Sequence, residues 1–166
     1  MLGKGGAAAV IAISMGVLAS CGLGERGDAS RAIAKFLAAA DKGDRAGFES
    51  GLDRKALRTD LAEQMADLGR TKGLDVGEPP SEFVLDRMVS PQAVRQAALR
   101  TAPGWPARPT AQQIIPFMKV RDLTHVCLEE RATRRCLLTF TKRDGVWRLS
   151  AMPSRSAWAQ TQTQGL

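Results

Sequence analysis

Residues 123–151 read LTHVCLEERATRRCLLTFTKRDGVWRLSA, and their pattern is the strongest indication of the fold class. Apolar and polar side chains alternate in three runs: the first ends at Cys127, the second begins at Cys136 and the third begins at Trp147. Alternation with a period of two is typical of strands with one buried face, and Asp144-Gly145 between the last two runs is typical of a tight hairpin turn. The stretch therefore predicts an antiparallel meander of three or four strands.

The register of these strands follows from placing the apolar side chains on one face. Four pairs are then expected to lie opposite each other: Cys127 and Cys136, His125 and Leu138, Leu123 and Phe140, and Phe140 and Leu149. Val126 and Leu137 are exceptions, because this register leaves them on the polar face. His125 lies on the packed face in this register, which favours a core histidine over a general base.

Upstream of residue 123 the apolar spacing is helical, and polar residues mark where helices begin. Ser30, Asp53 and Ser90 are predicted N-caps, and Pro91 directly after Ser90 is typical of a first helical turn. The predicted fold class is therefore α+β, with N-terminal helices packed on the C-terminal antiparallel sheet.

The amino-terminal residues have the form of a secretion signal. Lys4 precedes an apolar-rich run over residues 7–19, which is too short to span a bilayer. The tetrad Leu18-Ala19-Ser20-Cys21 that follows resembles the lipobox of bacterial lipoproteins. The resemblance implies that the chain is cleaved before Cys21 and that the Cys21 thiol receives a diacylglyceryl group. An ordinary signal peptide with an incidental cysteine, or an uncleaved anchor, are the alternatives.

The residue after the cysteine helps to select the membrane in such lipoproteins. Asp at this position retains the protein in the inner membrane, whereas this chain has Gly22. The resemblance therefore implies a lipid anchor in the outer membrane, on its periplasmic face, with the periplasmic face of the inner membrane as the alternative. The expected organisation is a signal peptide over 1–20, a flexible tether over 21–29, one α+β domain over 30–153 and a tail over 154–166.

The two cysteines of the meander are expected to form a disulfide. Export places Cys127 and Cys136 in an oxidising compartment, and closing a loop of this size stabilises a fold by roughly 2 to 3 kcal/mol. Two buried free thiols are the alternative. A metal site is less well supported, because only His125 could add a nitrogen ligand.

Three stretches carry a resemblance to a known family. They are residues 39–44 (AADKGD) followed by 52–61 (LDRKALRTDL), residues 88–94 (MVSPQAV), and residues 144–149 (DGVWRL). Together they resemble the bacterial family called domain of unknown function 2939, over about residues 31–152. The chain departs from that pattern by lacking the aromatic residues that are usual near the family's first helix and by its lipobox cysteine. The resemblance implies no activity and assigns no catalytic residue.

Charge is unevenly distributed along the chain. Residues 87–166 contain 13 Lys and Arg against 4 Asp and Glu, whereas residues 21–86 contain 10 against 13. Five basic residues in the hairpin region are a candidate surface for anionic head groups or lipopolysaccharide phosphates: Arg131, Arg134, Arg135, Lys142 and Arg143. A solvated basic surface is the alternative, and the envelope location argues against nucleic acid.

The sequence predicts a non-catalytic accessory or binding module without metal or cofactor. It contains one His and lacks the nucleophile-elbow, zinc-helix and phosphate-loop motifs. A hydrolase that uses His125 is a less favoured hypothesis. A binder of apolar or anionic lipid is the main alternative, with a pocket between helices and sheet. That pocket would be lined by residues that are otherwise core residues: Leu61, Met65, Phe140, Trp147 and Leu149.

Overall fold

The computed structural model describes residues 18–73, 81, 83 and 88–153. Residues 1–17 of the predicted signal peptide (1–20) and the predicted tail over 154–166 lie outside these residues. The helices are α1 (Leu18–Lys42), α2 (Arg45–Ser50), α3 (Arg54–Lys72), α4 (Pro91–Thr101) and α5 (Ala111–Ile114), which a 3-10 turn (Ile115–Phe117) continues. The strands are β1 (Met118–Val120), β2 (His125–Glu129), β3 (Cys136–Arg143) and β4 (Val146–Ala151).

The four strands form one antiparallel sheet in the order β1-β2-β3-β4. The predicted α+β class is confirmed, with the helices before the sheet in sequence. The hairpin turn between β3 and β4 lies at Asp144-Gly145, where both residues have positive φ (52° and 75°). Positive φ at both central residues is the conformation that a two-residue hairpin turn requires, so the local sequence sets this connection.

The register of β3 and β4 is confirmed, because Phe140 lies opposite Leu149. The predicted register of β2 is wrong. Val126, rather than Leu123, lies opposite Phe140, and Cys127 lies opposite Thr139. The shift is an odd number of residues, so it exchanges the two faces of β2. Val126 therefore packs in the core, and His125 moves to the opposite face.

Local capping determines where three helices begin. The side chains of Asp44, Asp53 and Ser90 accept hydrogen bonds from the backbone N–H groups of Gly47, Ala56 and Ala93. These bonds satisfy N–H groups that the first helical turn leaves unpaired. The predicted caps at Asp53 and Ser90 are confirmed.

The predicted start of the first helix and the predicted flexible tether are wrong. Residues 21–29 continue α1, and Ser30 lies inside the helix, where its hydroxyl donates to the Gly27 carbonyl at 2.9 Å. Ala29 is fully buried in the core, and Arg26 Nη2 donates to the Ile115 carbonyl at 3.0 Å. These tertiary contacts outweigh the low helix propensity of the glycines.

The core lies between α1 and the inner face of the sheet. Phe36 of α1 stacks on Phe48 at 5.1 Å between ring centroids and meets the edge of Phe140 at 5.7 Å. A Cβ on Gly51 would come within 2.4 Å of the Phe36 ring, so a glycine is needed where α2 ends. Aromatic contact and close backbone approach together fix α1 and α2 against the sheet.

The edge strand β4 is joined to the chain segment that leads into α3. The Leu149 N–H donates to the Gly51 carbonyl and the Asp53 N–H donates to the Leu149 carbonyl, each at 2.8 Å. Asp60 on α3 accepts from the Met152 N–H at 3.1 Å. Burial is the largest influence on the pKa of this carboxyl and raises it above its usual 3.8. These contacts cover the β4 edge of the sheet.

Candidate functional site

A cleft of about 530 Å³ opens between α1, α2 and the turn that joins β3 to β4. We call it the α1–α2 groove. Its apolar lining consists of Ala32, Phe36, Ala38, Ala39, Val146 and Trp147. Gly47 of α2 and Gly51, which directly follows α2, complete the wall. The volume lies within the range of small-molecule pockets in proteins.

Charged side chains form the rim of the groove. Lys35 and Lys42 are exposed on α1 and have no ion pair with another described residue. Arg31 pairs with Asp28, so this cation is neutralised within the rim. Asp44, the second carboxylate, is the N-cap of α2. The rim therefore presents two lysine ammonium groups above an apolar floor.

Trp147 contributes an unusual polar atom to this region. The side chain is buried, and its indole Nε1 has no hydrogen-bond partner among the described residues. Buried indole N–H groups usually find an acceptor, because leaving one unpaired costs free energy. Lys142 Nζ lies 6.0 Å from the centroid of the same ring. Of the five residues of the predicted pocket, Trp147 alone lines the α1–α2 groove.

The other residues of the predicted pocket do not line this groove. Phe140, Leu149 and Leu61 are fully buried, so they are core residues, as the alternative interpretation held. Met65 lies on α3 and is partly exposed. The α1 wall of the groove could not be predicted from the sequence, because three separate segments meet there. The close spacing of Gly47 and Gly51 was the available signal, since glycines often mark close approach between backbones.

The predicted disulfide between Cys127 and Cys136 is present, with the two Cα atoms 5.5 Å apart. The geometry of the bond differs from the expected one, in which the two cysteines lie opposite each other. Cys136 lies opposite Glu129, so the bridge crosses the two strands diagonally. Cys127 is completely buried, and Arg121 Nη2 lies 3.2 Å from the Cys136 sulfur. The bond closes the β2–β3 hairpin on the face of the sheet that points away from α1.

The structure separates the five basic residues predicted as an anionic-ligand surface. Arg131, Arg134 and Arg135 lie in the β2–β3 loop, whereas Lys142 and Arg143 lie at the far end of β3, about 24 Å away along an eight-residue strand. Four of the five have partners: Arg131 with the Phe117 ring, Arg134 with Glu129, Lys142 with Glu25 and Arg143 with Asp53. They do not form one continuous surface, and their role in ligand binding stays a prediction.

His125 is not a core residue, contrary to the sequence-based expectation, because the shifted register moves it off the packed face. Its side chain is 43% exposed, and Nδ1 lies 2.9 Å from both carboxylate oxygens of Asp122. Hydrogen bonds lower the pKa of Asp122 to about 2. The bond with His125 has the largest effect, and the bond from the Thr124 N–H has the next largest. The pair stabilises the β1–β2 turn and does not line the α1–α2 groove.

Comparisons with known proteins leave the family open: no protein-family model, curated protein or solved structure matches the chain significantly. The resemblance to the domain of unknown function 2939 family therefore stays a prediction. Within the residues that the structure describes, no helix has the length and apolar character needed to cross a membrane. Cys21 lies in the first turns of α1.

Proposed function

We propose that the protein is a lipid-anchored, non-catalytic accessory or binding module of the bacterial cell envelope. Its anchor is a diacylglyceryl group on Cys21, and its location is the periplasmic face of the outer membrane, with the inner membrane as the alternative. The observation that carries the proposal is the Cys127–Cys136 disulfide. Stable disulfides belong to oxidising compartments, so the bond supports the export that the lipobox of residues 18–21 implies.

The anchor is strong enough to keep such a domain on a membrane. One buried acyl chain gives marginal binding, whereas two or three chains, at about 0.8 kcal/mol for each buried methylene, hold a protein stably. A domain of this size then meets its ligands or partners at the membrane surface. We propose recruitment or binding rather than turnover as its function, because the sequence lacks the nucleophile-elbow, zinc-helix and phosphate-loop motifs.

The Cys21→Ala variant tests the anchor. It should accumulate unprocessed or leave the membrane fraction, and its mass should lack the acyl increment. The matched control is the double variant Cys127→Ala/Cys136→Ala, which keeps Cys21 and should remain acylated in the membrane fraction. Separation of inner and outer membranes then identifies the membrane. Unchanged fractionation and unchanged mass of the Cys21→Ala variant would overturn the proposal.

A second candidate function is the binding of an anionic amphiphile in the α1–α2 groove. The apolar floor with Phe36 and Trp147 suits an acyl chain, and the ammonium groups of Lys35 and Lys42 suit an anionic head group. Hydrophobic burial supplies affinity in such sites, while a few placed charges select the ligand.

Native mass spectrometry of the Cys21→Ala protein tests this second function, with lysophosphatidylglycerol as the probe and lysophosphatidylcholine as the neutral comparison. The anionic lipid should bind more tightly, and Lys35→Gln/Lys42→Gln should remove the difference. Lys55→Gln is the matched control, because Lys55 is exposed on α3 away from the groove. Equal binding of both lipids, or equal loss of binding in the control, would exclude the groove as an anionic lipid site.

A further inference from the structure

The amino-terminal part of α1 holds the domain close to its expected anchor. Glu25 accepts from Lys142 Nζ at 2.8 and 2.6 Å through its two oxygens, and both side chains are partly buried. Arg26 contacts the Ile115 carbonyl one residue later. Cys21 precedes Glu25 by four helical residues, a rise of about 6 Å. Little free chain therefore separates the anchoring residue from the folded domain.

Lys142 lies at one particular end of the sheet. In an antiparallel meander the β1–β2 turn and the β3–β4 turn lie at the same end, and the β2–β3 loop lies at the other. The Lys142 N–H donates to the Thr124 carbonyl at 2.8 Å, which joins the end of β3 to the β1–β2 turn. We call residues 120–124 and 143–146 the turn end. The contact of Glu25 with Lys142 brings the start of the docked helix to this turn end.

The turn end carries exposed apolar side chains. Within the described part of the chain, five large apolar residues are exposed, and three of them lie here: Val120 (48%), Leu123 (67%) and Val146 (45%). Single exposed apolar residues are ordinary, but a concentration at one end of a molecule marks a contact surface. Val146 also lines the α1–α2 groove, so the groove opens beside this surface.

The turn end carries equal numbers of basic and acidic side chains, Arg121 and Arg143 against Asp122 and Asp144. Arg143 is paired with Asp53, and Lys142, directly before the turn end, is paired with Glu25. Exposed hydrophobic side chains without excess charge suit the interfacial region of a bilayer more than a charged partner. Contact of this kind depends on apolar burial, so it should not require anionic lipid.

We propose that α1 orients the domain on the bilayer, with Leu123 and Val146 of the turn end inserted at the lipid head-group level. This inference rests on the proposed acylation of Cys21, because the anchor and the docked helix together set the orientation. The domain is then not a freely rotating head on a flexible leash, and the β2–β3 loop with Arg131, Arg134 and Arg135 points away from the membrane.

Site-directed spin labelling tests the orientation on the acylated full-length protein. The chain has three cysteines, of which Cys21 is the acylation site and the other two are bonded, so Leu123→Cys or Val146→Cys introduces the single free thiol. Each variant is labelled and reconstituted in vesicles of phosphatidylethanolamine and phosphatidylglycerol. Ala132→Cys, in the exposed β2–β3 loop, is the matched control.

Labels at residues 123 and 146 should lose accessibility to a water-soluble nickel complex several-fold relative to the label at residue 132, and should gain accessibility to oxygen. Inserting about ten Gly and Ser residues between Gly24 and Glu25 should abolish this difference, because the anchor no longer fixes the orientation. Replacing phosphatidylglycerol by phosphatidylcholine should leave it unchanged.

Two results overturn the orientation alone. The first is equal nickel accessibility of all three labels in a protein whose intact mass includes the acyl group. The second is protection of the label at residue 123 in the Cys21→Ala protein without vesicles, which would show self-association. An intact mass without the acyl group would instead overturn the proposed function, and the orientation with it. The mass measurement thus distinguishes the two failures.

Discussion

Removing the Cys127–Cys136 cross-link should destabilise the domain by an amount that follows from its loop. The two residues are nine positions apart, and on the chain-entropy model a loop of this size contributes about 2.6 kcal/mol to the free energy of unfolding. Domains of this size are stable by about 5–15 kcal/mol, so the loss is a large fraction of the total. It corresponds to a decrease in the melting temperature of roughly 10 °C.

Urea unfolding followed by circular dichroism measures this contribution. The oxidised protein is compared with the same protein in a thiol reductant, which removes the cross-link and leaves both sulfur atoms in place. The Cys127→Ala/Cys136→Ala variant is the control, because its unfolding midpoint should not respond to the reductant. A midpoint of the oxidised protein that the reductant leaves unchanged or raises would contradict this prediction, since the bond would then contribute no stability.

Three further predictions concern individual residues. Burial raises the pKa of Asp60 in the folded state, so ionisation of this carboxyl opposes folding. The stability of Asp60→Asn relative to the unsubstituted protein should therefore increase as the pH rises from 3.8 through the folded pKa. A difference in urea unfolding that does not depend on pH would contradict this. His125→Ala should raise the pKa of Asp122 from about 2 towards its usual value, as measured by NMR titration of the carboxyl carbon; an unchanged titration would show that the hydrogen bond is not the cause. Gly51→Ala should destabilise the domain by about 1–3 kcal/mol because the added methyl overlaps a buried ring of α1, whereas Gly104→Ala, with open space around it, should be nearly neutral in the same assay.

The parts of the fold that the sequence predicts correctly depend on local signals. Asp144-Gly145 determines a hairpin turn through its backbone conformation, and this turn sets the register of Phe140 against Leu149. Asp53 and Ser90 cap helices through contacts within four residues of the cap. Such features can be read from a short window, because no distant part of the chain is needed to form them.

The register of β2 could not be read in this way. Residues 126–128 are all buried, so the strand is apolar on both faces and alternation does not identify the inner one. Only the packing of Val126 and Leu128 against β3 and the helices selects the register. The error propagated to His125, whose predicted position in the core depended on the register alone.

The site was harder to predict because it depends on contacts between distant segments. The glycine-rich residues after Cys21 favour a tether locally, yet Glu25 and Arg26 bind residues 117 and 89 positions further along. Arg135 and Lys142 are only seven positions apart in sequence, which suggested that they share one surface. The extended strand β3 places them at opposite ends of the sheet. The α1–α2 groove likewise exists only once the helices and the hairpin meet.

We propose that Cys21 becomes the acylated first residue of an exported, oxidised domain. Intact mass and amino-terminal sequencing of the protein purified from its native host under non-reducing conditions test this proposal. We expect a chain that begins at Cys21, carries a diacylglyceryl group and contains one disulfide. A chain that begins at Met1, without acyl mass and with free thiols at residues 127 and 136, would contradict it.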